Sequence, residues 1–135
     1  MPFVLDNSVL SGWLLETQAT PYTQAIAERL AQDRAVAPVL LRLEYANVLR
    51  TACKRGRMTA GQAQEAISQL EALPVEYDNQ TPDARQLLAL ALRYDLSSYD
   101  AAYLDLALHR QLPIATQDVE LAEAARICGV GVVSA

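Results

Sequence analysis

Short apolar runs alternate with longer stretches whose apolar positions recur about every 3.6 residues, and this alternation predicts strands and helices in turn. Phe3-Val4-Leu5 reads as a buried strand that leads into a helix over residues 8–16. A second helix is expected over residues 20–33, capped by Thr20 and opened by Pro21, whose missing N–H is harmless at the first helical position. Ala35-Val36-Ala37 is a second strand, stopped by Pro38. Two helices follow, over residues 40–55 and 59–73, separated by Gly56 and restarted at Thr59. In the first, Leu41, Tyr45, Val48, Leu49 and Ala52 form an apolar stripe at helical spacing. Residues 74–77 suit the edge of a sheet, where proline is tolerated. Thr81-Pro82 is expected to open a helix reaching about residue 94, and Ser97-Ser98 to cap another over residues 99–110. Residues 113–116 read as a buried strand, 119–127 as a helix and 130–133 as a last strand. Strands alternating with helices predict an α/β fold with a mainly parallel sheet covered on both faces.

Composition narrows this picture. At 135 residues the chain is expected to form one domain, residues 1–135, with no room for a second. Hydrophobic residues make up 52% of it but aromatics only 6%, which suits helices packed on a small sheet. Cys53 and Cys128 belong to no spacing motif and read as reduced, partly buried thiols. No basic leader precedes the first strand, and no apolar run approaches the ~20 residues of a membrane span. A soluble, cytoplasmic protein is expected.

The net charge of −5 argues against a nucleic-acid partner until its distribution is considered. Arg42, Arg50, Lys54, Arg55 and Arg57 crowd five of the eleven basic residues into a short stretch whose only acid is Glu44. Arg50, Lys54 and Arg57 fall at i, i+4 and i+7 of one helix face. Alone, this is a solvated face; beside a metal-binding carboxylate cluster it becomes a track for phosphates.

Four carboxylates fall where such a cluster would form, because ligands of an open parallel sheet bind beyond the carboxyl ends of its strands. Asp6 follows the first strand directly, Asp118 lies just past the strand at residues 113–116, and Glu44 is about two turns into the helix after Pro38. Asp100 sits in the first turn of its helix and joins them if that terminus points to the same edge. Each has a plainer explanation. Asp100 and Asp118 suit helix N-termini, and Ser97 with Asp100 resembles a capping box. Yet Asp100 shares a face with Tyr103, Leu104, Ala107 and Leu108, and Glu44 with Leu40, Leu41 and Val48. A carboxylate on a core-facing stripe is costly without a cation or donors. Asn47, one turn after Glu44, is a candidate donor to it. Four such acids repel one another unless a cation intervenes, which points to a metal site. All-oxygen donors select Mg²⁺ or Mn²⁺. With His109 the only histidine, a zinc site and a Ser-His-Asp triad are both disfavoured, and no glycine-rich phosphate loop is present.

The segments Phe3-Val4-Leu5-Asp6-Asn7-Ser8, Glu44-Tyr45-Ala46-Asn47-Val48-Leu49, Ser98-Tyr99-Asp100-Ala101-Ala102-Tyr103 and Ala115-Thr116-Gln117-Asp118 together resemble the PIN-domain family, and within it the VapC-type toxins of toxin–antitoxin pairs. The resemblance spans nearly the whole chain. It implies a three-layer α/β/α sandwich on a parallel sheet of four to five strands, and a metal-dependent endoribonuclease. It also implies a homodimer and inhibition by a small antitoxin. Asp6, Glu44, Asp100 and Asp118 match the family's acidic quartet, with Ser8, Asn47 and Thr116 as supporting polar positions. Asp105 departs from the pattern, where a small or apolar residue is usual. Lying about 140° round the helix from Asp100, it reads as surface or interface, with an auxiliary ligand role as the alternative. The expected reaction is phosphodiester hydrolysis by metal-activated water, leaving a 5′-phosphate and a 3′-hydroxyl.

Two other enzyme classes fit poorly. A phosphatase of the haloacid-dehalogenase type wants a second acid two residues after the first, where Ser8 stands. A receiver domain needs an acidic pair and a late lysine, and Lys54 is the only lysine. A housekeeping nuclease or a non-catalytic binding module of the same fold completes the alternatives.

Overall fold

Strands β1 (Phe3–Leu5), β2 (Ala35–Pro38), β3 (Val75–Asp78) and β4 (Ile114–Ala115) form one parallel sheet in the order β3-β2-β1-β4 in the computed structural model, which describes residues 1–134. The two inner strands are buried along their whole length, which is why they are written as unbroken apolar runs rather than alternating ones. Val4 lies between Val36 and Ile114 at the centre of the sheet. At the edge, β3 is only partly buried and tolerates Glu76 and Asp78.

Among the described residues seven α-helices flank the sheet: α1 (Asn7–Leu14), α2 (Pro21–Arg29), α3 (Leu40–Lys54), α4 (Ala60–Ala72), α5 (Ala84–Tyr94), α6 (Ser98–Arg110) and α7 (Val119–Ile127). Helix α6 is buried from Ala101 to Ala107, lies against β1, β2 and β4, and carries α5 on its back. Helices α1 to α4 pack on one another. At the crossing of α1 and α2 a Cβ on Gly12 would collide with the Thr23 side chain, so glycine sets how closely α2 approaches. One continuous hydrophobic cluster runs from Phe3 to Val133.

Three sequence expectations shift. The last strand shrinks to a single parallel bridge between Val132 and Ile114, because Gly129 and Gly131 adopt φ of +84° and +81°, which no extended strand can include. Helix α5 opens at Asp83, whose side chain accepts the Arg85 N–H at 3.0 Å, and not at Thr81-Pro82. Helix α3 ends at Lys54, and Gly56 turns the chain at φ +70°, so Arg57 lies beyond the helix and off the face of Arg50 and Lys54.

Candidate metal centre

Because β1 and β4 are parallel neighbours, their carboxyl ends deliver Asp6 and Thr116 side by side. The Asp6 N–H extends the ladder, donating to Ala115 O at 3.1 Å. Asp6 occupies the cap position of α1, yet its side chain makes no capping bond. Its Oδ2 instead accepts the Thr116 hydroxyl at 2.7 Å and the Ser8 hydroxyl at 2.8 Å. Each hydroxyl spends its one proton on Asp6 and then accepts from the next loop: Thr116 Oγ1 from the Asp118 N–H at 3.0 Å, Ser8 Oγ from the Gln117 N–H at 2.9 Å. Gln117 Nε2 also donates to Ser8 O at 3.0 Å, and its Oε1 accepts from Thr20 at 2.7 Å. The loop after β4 is thereby tied to the start of α1, a link that sequence spacing does not reveal.

Asp6 is 4% exposed, and burial lifts its pKa against the hydroxyls of Thr116 and Ser8. Glu44 projects from α3 and accepts the Tyr103 hydroxyl of α6 at 2.5 Å. Burial raises its pKa, the Tyr103 bond opposes, and the charge of Asp6 raises it further. The Tyr103 hydroxyl is itself held protonated by burial and the neighbouring Glu44, so it remains a donor. Asp100 opens α6, where its N–H is capped by Ser97 Oγ at 3.0 Å. Its pKa climbs to about 6, through burial first and then through the charges of Asp6, Asp118 and Glu44, against the Ser97 bond. Asp118 caps α7 through the Leu121 N–H at 2.9 Å.

Asp100 therefore stands within electrostatic reach of all three other carboxylates, and no basic side chain contributes to its balance. The four acids do not close to bonding distance: among the described residues no three Asp, Glu, His or Cys side chains are near enough to share one ion. The donor set is all oxygen, and two of its members are pinned by hydroxyls. A hard divalent ion fits that chemistry.

The supporting residues fare unevenly. Ser8 and Thr116 hold Asp6 as described. Asn47 is exposed, and the donor on Glu44 is Tyr103, which the sequence presents as one more apolar residue of the α6 stripe. Its one legible signal is its place three residues after Asp100 on the same face. Arg50, Lys54 and Arg57 are exposed, and none takes part in an ion pair among the described residues. Asp105, expected at the surface or an interface, is instead buried within the chain at 6% exposure. It is also apart from the quartet, since the acids that raise it after burial are Asp83 and Asp78. Both cysteines are free and partly buried. Among the described residues no helix is long and apolar enough to cross a membrane.

Residues 3–127 match the family model described as PIN domain. The chain belongs to the PIN-domain family. It is similar to Ribonuclease VapC1 of Mycobacterium tuberculosis, found in two strains, with 37% identity over 97 residues that cover 70% of this chain and 71% of that protein. The crystal structure of PAE2754 from Pyrobaculum aerophilum shares the fold, with a TM-score of 0.76 over 98% of this chain and 88% of that one, at 19% identity. The family resemblance and the α/β/α architecture read from the sequence are both borne out.

Proposed function

We propose that this chain is a divalent-cation-dependent endoribonuclease of the VapC type and the toxin of a type II toxin–antitoxin pair. The observation that carries the reading is Asp6, 4% exposed at the carboxyl end of β1 with its Oδ2 held by the Ser8 and Thr116 hydroxyls, and with Glu44, Asp100 and Asp118 near enough that their charges act on one another. The similarity to Ribonuclease VapC1 supports RNA as the substrate. Asp6, Glu44, Asp100 and Asp118 would hold Mg²⁺ or Mn²⁺, and the ion would supply a Lewis acid that activates water and neutralises charge on the phosphate.

The chain's own residues fix the acceptors. Ser8 and Thr116 orient Asp6 so that one oxygen is committed to hydroxyl donors. Tyr103 holds Glu44 and cannot itself act as a base, because its proton is too tightly held. Arg50 and Lys54 lie about 9 and 15 Å farther along α3 than Glu44, a span suited to flanking phosphates, with Arg57 beyond the helix end. The family resemblance adds a homodimer, a small antitoxin partner and a cytoplasmic location to the reading, and one PIN-like domain over residues 1–135.

Cleavage of a pool of fluorescent RNAs tests it. Cutting should require Mg²⁺ or Mn²⁺, stop with EDTA, leave 5′-phosphates, and vanish in Asp6→Asn while the circular dichroism spectrum is unchanged. Cutting by Asp6→Asn at the wild-type rate would remove Asp6 from the reaction. Failure of the wild type to cut any RNA with either ion would leave a binding module of the same fold.

A further inference from the structure

Helix α5 leaves two leucines bare, one turn apart. Leu88 is 60% exposed and Leu92 75%, whereas Leu90 on the opposite side is buried, and α6 is the helix on which α5 packs. Leucines in water forgo the gain of burial, and two at this spacing form a ridge.

The ridge ends in charges of opposite sign. Arg85, Leu88, Leu92 and Asp95 stand at i, i+3, i+7 and i+10, within about 80° of one another round the helix. That is the spacing of a seam along which one helix meets another. Arg85 and Asp95 are exposed, and neither takes part in an ion pair among the described residues. Each also stands at the unfavourable end of its own helix. Arg85 is in the first turn, beside the positive end of the dipole, and Asp95 is the C-cap, beside the negative end.

A second α5 lying antiparallel reverses both placements. Turned about a two-fold axis opposite residue 90, it sets Leu88 against the partner's Leu92 and Arg85 against the partner's Asp95, each twice. A parallel partner would set like charge on like at both ends. The seam holds one base and one acid, so it offers no track for phosphates. It complements itself.

We propose that α5 is the face on which two copies of this chain pair, antiparallel, with Leu88 and Leu92 interleaved at the centre and an Arg85–Asp95 ion pair at each end. The proposal rests on the homodimer in the reading above and names the surface that makes it. The leucines supply the burial, and the exposed charges choose the direction. Two helices about 16 Å long cover less than the ~1,600 Å² of a standard interface, so the pair should exchange, with a dissociation constant in the micromolar range.

Sedimentation equilibrium of the full chain in EDTA tests this without reference to cleavage. The wild type should follow a monomer–dimer equilibrium. Leu88→Ser combined with Leu92→Ser, both at exposed sites, should raise its dissociation constant about tenfold or more. Arg85→Asp and Asp95→Arg should each weaken pairing severalfold, because each puts like charges together at both ends. An equimolar mixture of these two variants should recover a dimer holding one of each, in which one ion pair is native and the other reversed. That recovery also shows both variants to be folded, although Asp95 has φ +53°. A dimer indifferent to the leucine and charge changes would overturn the proposal and leave the homodimer standing on another face. A chain monomeric at every concentration would overturn both, and leave α5 as a seat for a different protein. Failure of the nuclease reading would appear separately, as absent RNA cutting with Mg²⁺ or Mn²⁺.

Discussion

The Thr116 hydroxyl donates to Asp6 Oδ2 at 2.7 Å across 110 residues of sequence, and the hydroxyl oxygen in turn accepts the Asp118 N–H at 3.0 Å. One side chain thus fixes the spacing of two acids from adjacent parallel strands. Thr116→Val keeps the shape and deletes both bonds, leaving a buried carboxylate short of a donor. It should cost about 1–3 kcal/mol in urea unfolding. Cleavage and Mg²⁺ affinity should fall roughly 10- to 100-fold, as for other groups that orient metal ligands. Thr116→Ser should restore most of both. Equal loss in the serine variant would assign the effect to packing of the methyl group.

Tyr103→Phe removes the 2.5 Å bond to Glu44 from the opposite helix. The ring stays buried, so unfolding should shift by only about 1–2 kcal/mol. Cleavage should drop about tenfold or more, because Glu44 is then free to leave its position. Wild-type activity in this variant would mean that Glu44 needs no such restraint.

Much of this arrangement was legible in the sequence. The inner strands announce themselves as unbroken apolar runs, and two of the acids, Asp6 and Asp118, stand just past strand ends, where a parallel sheet collects its ligands. What stayed hidden depends on contacts between distant segments. Tyr103 reads as core until Glu44 is seen opposite it, and Gln117 reads as loop until it reaches Ser8 and Thr20. Asp105 fails for a different reason. A helical wheel places it away from Asp100, but only the packing of α5 and the loop before it decides that this other face is buried as well. The last strand fails because Gly131 within it and Gly129 just before it take positive φ.

Stability should depend on pH in a way that follows from Asp100. Its folded pKa, about 6, exceeds the ordinary 3.8, so the native state binds more protons between those values and stability falls as pH rises through that window. Asp6 and Glu44 are shifted in the same direction. For Asp100 the penalty above pH 7 is about 1–2 kcal/mol once solvent screening of a partly exposed group is allowed for. In EDTA, Asp100→Asn should therefore be more stable than wild type at pH 7.5 by about that amount and equal to it near pH 4. Thermal melts at both pH values check this. A variant advantage of the same size at pH 4 would contradict it.

Arg50, Lys54 and Arg57 carry exposed charge with no ion pair among the described residues, despite the acidic whole. Replacing each by Gln should weaken RNA binding and flatten its salt dependence, the log–log slope falling by about 0.7 for each phosphate that is no longer neutralised. The rate on saturating RNA should hold. An unchanged slope in the triple variant would move the RNA path off α3.

Four carboxylates from distant segments meet at Asp100, which feels the charges of the other three. Titration of the Asp100 side chain by carboxyl ¹³C NMR reads that field directly. Without divalent ions it should titrate near 6, and with saturating Mg²⁺ it should fall below the ordinary carboxylate range. An ordinary value near 3.8 that ignores Mg²⁺ would contradict the account.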